Sequence, residues 1–438
     1  MEIDKTTLND LAVFNGEEDF TVFSKLNLTL TANGKEQLKK NLGTPLTTIE
    51  AINDVQQTLQ FILTKEKEWP MQISNGTIMV VQRFYEYNFD PLPRHVSSFT
   101  AQSYKLLHGP DYSLIKYSFI HCFDFIKGML LFVQKFLQPD TPAPLKKILE
   151  MAAKTLHAEP LKIAERYHTS AGLAIPEQLQ MAQFLRYQYK QNMLTLIAIH
   201  AQLDAWYGMA VTVKKYQLIF PEFIQSMQPL LQVKGLYHIL LPKPIPYDVQ
   251  MTPESNFLFL TGANMAGKST FIKAAGTAVF LAHAGMGVPA TEMKLTLFDG
   301  MLSNINVIDN IAKGESYFYN EVQRIKATIT KINDGRKWLI LIDELFKGTN
   351  VQDAMKCSTV VIEGLLKIKN SLFILSTHLY EIGEQLKVHP NISFNYFETS
   401  TANGQLSFNY QLRNGISSDR LGYLILEREG VVKMLEKL

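Results

Sequence analysis

The chain's 438 residues, 46% of them apolar, are enough to bury a large core, and the length alone points to roughly two to four domains. With 43 Lys plus Arg against 41 Asp plus Glu the net charge is +2, which excludes a globally basic nucleic-acid binder but leaves room for a local patch. Cys122 and Cys357 lie far apart without metal-ligand spacing, which argues against a disulfide framework and for ordinary core residues in a reducing, cytoplasmic setting.

At the start of the chain, MEIDKTTLND is polar and lacks the apolar stretch of a signal peptide, so secretion is not expected. Residues 6–241 then read as overwhelmingly helical. Leu38, Leu42, Ile49, Ile52, Val55, Leu59 and Ile62 keep a helical rhythm through short breaks at Gly43 and Pro45 and predict a compact helical subdomain. The most apolar stretch, residues 112–137, is interrupted by Lys116, His121, Asp124 and Lys127. A membrane span of ~20 apolar residues tolerates such groups poorly, so this stretch predicts a buried helix and no membrane partner.

Residues 177–220 contain no proline and only Gly208 as a breaker, which predicts a single lever helix about 60 Å long. The 112–137 helix is expected to pair antiparallel with it, the connection bearing Pro139, Pro142, Pro144, Pro160 and Pro176 forming the tip. After Pro242, Pro244 and Pro246 the pattern changes to short apolar strands alternating with helices, as in a parallel sheet with crossover helices. The reading therefore divides the chain into a helical core and lever domain, residues 1–231, and an α/β domain, residues 232–438.

Within the second part, a short apolar strand at residues 257–260 runs into Gly262, Ala263, Asn264, Met265, Ala266, Gly267, Lys268, Ser269 and Thr270, and a helix follows. Strand, glycine-rich loop and helix in that order form a phosphate cradle. The glycines let backbone N–H groups face phosphate oxygens at a helix N-terminus, Lys268 neutralises the β and γ phosphates, and Ser269 offers a hydroxyl to Mg²⁺. A second apolar strand, residues 338–342, ends in Asp343 and Glu344. Asp343 is expected to hold Mg²⁺ through water, and Glu344 to orient or deprotonate the attacking water, which separates a hydrolase from a nucleotide binder. A third strand, residues 371–376, delivers Thr377 and His378 to the same sheet edge, where the imidazole can sense the γ-phosphate. Alone, an Asp-Glu pair or a single His is often structural; the complete loop upstream favours the functional assignment.

These residues resemble the MutS family of DNA mismatch-repair ATPases. Residues 261–270, TGANMAGKST, are close to the family's TGPNMGGKST, and Val288, Pro289 and Ala290 match its VPA. Gly314, Glu315, Ser316, Tyr317 and Phe318 with Glu321 resemble GRSTF followed by Glu. Asp343 and Glu344 with Gly348, Thr349 and Asp353 resemble DEIGRGTSTYDG, and Ser376, Thr377 and His378 resemble ATH. More weakly, residues 26–31, Gly34, residues 42–46, residues 52–56 and Leu203, Asp204 and Ala205 look like the start and the lever ends of the family's core domain. The resemblance implies an ABC-type P-loop NTPase that binds ATP and Mg²⁺ and works as a homodimer through the ATPase domain. In it Ser316 of one subunit completes the other's site, so that a hydroxyl and a helix N-terminus arriving in trans stabilise γ-phosphate charge.

The departures are specific. Ala263 and Ala266 replace Pro and Gly, which is tolerable where neither position needs a positive φ. Glu315 stands where a basic residue is usual, and Lys347 keeps the charge of the usual Arg without its fork. The chain starts at the helical core, so no counterpart of the family's mismatch-reading domain with its aromatic wedge is expected, and the arm is short for a full DNA clamp. DNA binding by shape or charge rather than by base reading follows, with Lys146, Lys147, Arg186, Lys190, Lys214 and Lys215 as candidate phosphate contacts or, equally, solvated helix faces. The competing classes are another ABC-type ATPase, of chromosome organisation for example, and a nucleotide-switched protein scaffold with little turnover.

Overall fold

A computed structural model describes residues 1–15, 20–306, 317–402, 405–417 and 430–435. In chain order the helices among the described residues are α1 (Lys5–Asp10), α2 (Val22–Leu26), α3 (Ala32–Gly43), α4 (Ile49–Thr64), α5 (Asn75–Phe84), α6 (Ser98–Leu107), α7 (Gly109–Phe136), α8 (Ala143–Leu156), α9 (Ile163–Arg166), α10 (Ile175–Tyr187), α11 (Lys190–Lys215), α12 (Lys268–His283), α13 (Tyr317–Ile332), α14 (Val351–Leu365), α15 (Tyr380–Leu386) and α16 (Val431–Leu435). The strands are β1 (Glu2–Ile3), β2 (Glu222–Ile224), β3 (Leu231–Leu236), β4 (Tyr247–Met251), β5 (Phe257–Thr261), β6 (Glu292–Thr296), β7 (Gly300–Asn304), β8 (Trp338–Asp343), β9 (Ser371–Ser376), β10 (Ile392–Ala402) and β11 (Gln405–Asn414).

The chain forms two compact units, neither of them one continuous segment. Met1–Leu26, Thr44–Ile52 and Lys215–Leu438 make the first; Asn27–Gly43 and Asn53–Lys214 make the second. These units divide the chain differently from a single cut at 231/232. The chain's first residues join the sheet unit because β1 pairs in parallel with β7, Glu2 pairs with Lys331 and Arg336, and the Asp10 side chain accepts from Ile305 N and Asn306 N beyond β7. A two-residue strand carries no periodicity from which this could be read.

The sheet unit holds a seven-stranded sheet in the order β1-β7-β8-β9-β5-β10-β11 and a four-stranded sheet in the order β2-β6-β3-β4. In the larger sheet every pairing but β10 with β11 is parallel. The apolar runs FLFLT, WLILID and SLFILS are buried along their whole length, as strands covered on both faces must be. The registers bring Leu260 opposite Ser376 and Asp343 opposite Ser376, so the C-terminal ends of β5, β8 and β9 open at one edge. That edge is where ligands of open parallel sheets bind.

In the helical unit, α7 buries Phe119, Phe123, Phe125, Phe132 and Phe136, as the 112–137 reading anticipated. Trp69 packs edge-on against Phe132 and Phe136 and stacks on Tyr207 of α11, with ring centroids 4.6 to 5.1 Å apart. The single 177–220 helix is replaced by α10 and α11. Tyr189 breaks it by turning inward, fully buried, to donate its hydroxyl to Thr155 O at 2.7 Å. The expected tip also holds α8, whose Leu145, Leu149, Ala152 and Leu156 are buried. Asp204 of α11 accepts from Leu30 N, Thr31 N and Thr31 Oγ1 at 2.6 to 2.8 Å, holding the loop that leads into α3. One turn on, Gly208 lets that loop approach, since a Cβ there would lie 2.9 Å from Thr29 N.

Candidate nucleotide-binding site

Between β5 and α12 the backbone takes the left-handed region at Gly262 (φ 140°), Met265 (φ 68°) and Gly267 (φ 109°), and not at Ala263 or Ala266. The two alanines therefore sit where a Cβ is allowed, which is the condition under which they were expected to be tolerated. Gly267 caps α12 without a side-chain hydrogen bond, so the first N–H groups of the helix and its positive end are left to an anion. Lys268 is buried, with Nζ donating to Gly262 O at 2.7 Å and Ala263 O at 2.9 Å. Burial pushes its ammonium below the ordinary lysine range, opposed by the negative charge of Glu344 and Asp343. A cation held in this way gains most from a polyanion.

Opposite the loop, Asp343 ends β8 as a buried carboxyl accepting the Ser376 hydroxyl of β9. Glu344 follows at φ 63° with its own N–H on Ser376 O at 3.0 Å. Its Oε2 lies 3.7 Å from His378 Nδ1 and 3.3 Å from Lys347 Nζ. The His378 imidazole first, against the opposing effect of burial, and Lys347 next hold this carboxyl down at about 2. Glu344 is thus an anion throughout the physiological range, able to accept a hydrogen bond from water. His378 itself is half exposed at the end of its strand. The oxygen set of Ser269 hydroxyl and Asp343 carboxyl suits a hard cation such as Mg²⁺.

A cavity of about 700 Å³ lies against the loop and Glu344, lined by Ala263, Asn264, Met265, Gly267, Lys268, Ser269, Thr270 and Glu344. It is large enough for a whole nucleotide rather than its phosphates alone. Its remaining wall is made by Leu241, Lys243, Ile245, Tyr247 and Tyr410, residues the sequence reading did not single out. Tyr247 is fixed by edge-on contacts with Phe271 and Phe397, whereas Tyr410, at φ 53°, presents a partly exposed ring. The proline-spaced segment before β4, read as the point after which short strands begin, was the signal nearest to this wall.

Of the remaining candidates, Ser316 lies outside the described residues, as do Gly314 and Glu315. Glu321, quoted only as part of a motif, is buried, and its two carboxyl oxygens accept from Lys347 N and Gly348 N at 3.0 and 3.1 Å. Val288 and Pro289 are structural: Val288 exchanges backbone bonds with Ile219, and Pro289 O accepts from Tyr237 N. Several candidate phosphate contacts are engaged elsewhere. The Arg186 guanidinium donates to Phe84 O and Tyr87 O and lies 4.7 Å over the Phe89 ring, Lys214 pairs with Glu66 at 2.6 Å, and Lys190 sits over Tyr85. Lys146 and Lys147 on α8 are exposed.

Residues 258–435 match the family model for MutS domain V. The DNA mismatch repair protein MutS of Geobacillus kaustophilus (strain HTA426) is 27% identical over 311 residues, covering 70% of this chain and 32% of that protein. Its counterpart in Carboxydothermus hydrogenoformans is 31% identical over 202 residues, 44% of this chain and 24% of that protein, and the one in Petrotoga mobilis is 24% identical over 254 residues, 57% and 31%. The chain spans about a third or less of the length of these curated relatives. The glycine loop, the Asp343-Glu344 strand end and His378 all lie inside the matched region, so it is this C-terminal part of the chain that is similar to MutS domain V.

Proposed function

We propose that this chain is a Mg²⁺-dependent ATPase of the ABC type, made of a helical core and lever region followed by the ATPase, that acts on DNA in mismatch repair or a related repair or recombination process. The observation that carries the reading is the meeting, at one sheet edge and on one cavity, of an uncapped helix N-terminus, the buried Lys268 and a Glu344 held ionised. The amides of the loop at Gly262, Asn264, Met265, Ala266, Gly267 and Lys268 bind the triphosphate, with Ser269 and Thr270 at the start of the helix. Ser269 and Asp343 would hold Mg²⁺, which supplies charge neutralisation to the β and γ oxygens. Glu344 orients the attacking water, and the exposed His378 imidazole reaches toward the γ-phosphate. The partly exposed Tyr410 ring, with Ile245 and Leu241, offers the base an apolar wall.

The reading includes a homodimer in which Ser316 of each subunit completes the other's site, and a cytoplasmic setting; among the described residues no helix is long and apolar enough to cross a membrane. DNA contact is by shape and charge, without base-specific reading. Turnover of ATP, alone and with homoduplex, mismatched and branched DNA, tests it. Stimulation by one of the DNAs supports the repair assignment. Fast turnover indifferent to DNA points to another ABC-type ATPase, and nucleotide binding without turnover to a scaffold.

A further inference from the structure

The turn that follows β8 carries the assigned base, and it is an awkward piece of backbone. Glu344 at φ 63° and Phe346 at φ 59° both occupy the left-handed region, which disfavours residues with side chains. Such a turn persists only where its surroundings over-determine it. On one side the tie is Glu344 N donating to Ser376 O. On the other side the ties come from the first turns of α13. Glu321 sends Oε1 to Lys347 N and Oε2 to Gly348 N, so one buried carboxyl group collects two successive amides. Beside it Gly348 is pressed so close to the helix that a Cβ would lie 2.7 Å from Phe318 N. The rings of Phe318 and Phe346 meet at 5.7 Å.

The same turn aims two charged side chains. Lys347, whose backbone amide Glu321 holds, places its ammonium 3.3 Å from the Glu344 carboxyl. Glu321 itself does not line the nucleotide cavity, whereas Glu344 does. Its influence on hydrolysis must therefore pass through the turn.

We propose that Glu321 is a positioning residue for ATP hydrolysis: by binding the Lys347 and Gly348 amides it locks the left-handed turn that directs Glu344, and with it Lys347, at the reacting phosphate. This inference rests on the assignment of Glu344 to the hydrolytic step. It separates Glu321 from residues that bind nucleotide, because loss of the tie misaims the base and leaves the phosphate loop intact.

The test compares Glu321→Gln, Glu321→Asp and Glu344→Gln by Mg-ATP affinity and by single-turnover hydrolysis. Glu321→Gln sets an NH₂ against an amide N–H. It is expected to lower the hydrolysis rate between ~10- and ~100-fold, as a small misplacement of a catalytic group does, while the Kd for Mg-ATP stays within about threefold. Glu321→Asp keeps both acceptors on a shorter stem and is expected to recover part of the rate. Combined with Glu344→Gln, Glu321→Gln is expected to add no further loss, since the group it aims is already gone. Normal hydrolysis by Glu321→Gln, or an equal loss of affinity and rate in both Glu321 variants, overturns the proposal; should Glu321→Gln not fold, the rate and affinity of Glu321→Asp decide it. Normal hydrolysis by Glu344→Gln overturns instead the hydrolytic assignment on which it rests.

Discussion

His283, the last residue of α12, is held in one charge state by its hydrogen bonds, which makes the sheet unit acid-sensitive in a calculable way. Its Nδ1 bonds to Val279 O at 2.9 Å and its Nε2 to Phe298 N at 3.0 Å. The first contact needs a ring N–H and the second a ring lone pair, so the imidazole is neutral. Protonation would set two N–H groups against each other. Burial, chiefly, lowers its pKa from the ordinary 6.5 to about 4. The folded value being the lower one, the unfolded chain binds the proton first, so stability is lost as pH falls through 6.5 and the loss levels off near 4. The slope is ~1.4 kcal/mol per pH unit, or about 2 kcal/mol between pH 7 and pH 5. His238 of the same unit, also lowered to about 4 by burial and then by Lys273, adds a similar amount. His283→Gln keeps a donor for Val279 and an acceptor for Phe298 without a titrating group, and should remove about 2 kcal/mol of the pH dependence. Urea unfolding at the two pH values, in a Trp69→Phe/Trp206→Phe background that leaves Trp338 of β8 as reporter, measures both quantities. Equal stability at pH 7 and pH 5, or a Gln variant with undiminished pH dependence, would refute the reasoning.

Lys268→Ala should weaken Mg-ATP binding at least ~100-fold, the scale of losing a charge-assisted phosphate contact, in a fluorescent-nucleotide titration; unchanged affinity would remove Lys268 from the site. Arg186→Gln strands the Phe84 and Tyr87 carbonyls and should cost the helical unit ~2 kcal/mol in urea unfolding, with DNA affinity unchanged by fluorescence anisotropy. A selective loss of DNA affinity would instead make this guanidinium a phosphate contact. Asp204→Ala leaves Leu30 N, Thr31 N and Thr31 Oγ1 without their shared acceptor and should destabilise the helical unit by ~3 kcal/mol while sparing ATP binding. A cost below ~1 kcal/mol would mean that the loop finds other acceptors.

The parts of this protein that were legible in its sequence are those where chemistry or burial demands a fixed spacing. Strands β5, β8 and β9 were visible because both of their faces are covered, leaving unbroken apolar runs that end at the glycine loop, at Asp343 and Glu344, and near His378. The pieces that stayed hidden depend on partners distant in sequence. Tyr189 interrupts a helix that local propensity would continue, because its hydroxyl reaches Thr155. Strand β1 is too short to announce itself and exists through its pairing with β7. Glu321 had a motif but no role until the Lys347 and Gly348 amides were found on it. Tyr410 and Ile245 come from opposite ends of the sheet unit's sequence and acquire meaning only as walls of one cavity. Arg186 shows the converse: a cation on a helix reads as solvated or phosphate-seeking until the carbonyls it binds are known.

The central claim is that Glu344 acts on the water and not on the nucleotide, and the direct measurement is the pair of Mg-ATP affinity and hydrolysis rate in Glu344→Gln. The account predicts affinity within a few-fold of the unaltered protein and hydrolysis at least ~100-fold slower, as loss of a general base implies. Hydrolysis close to normal, or affinity lost together with rate, would contradict it.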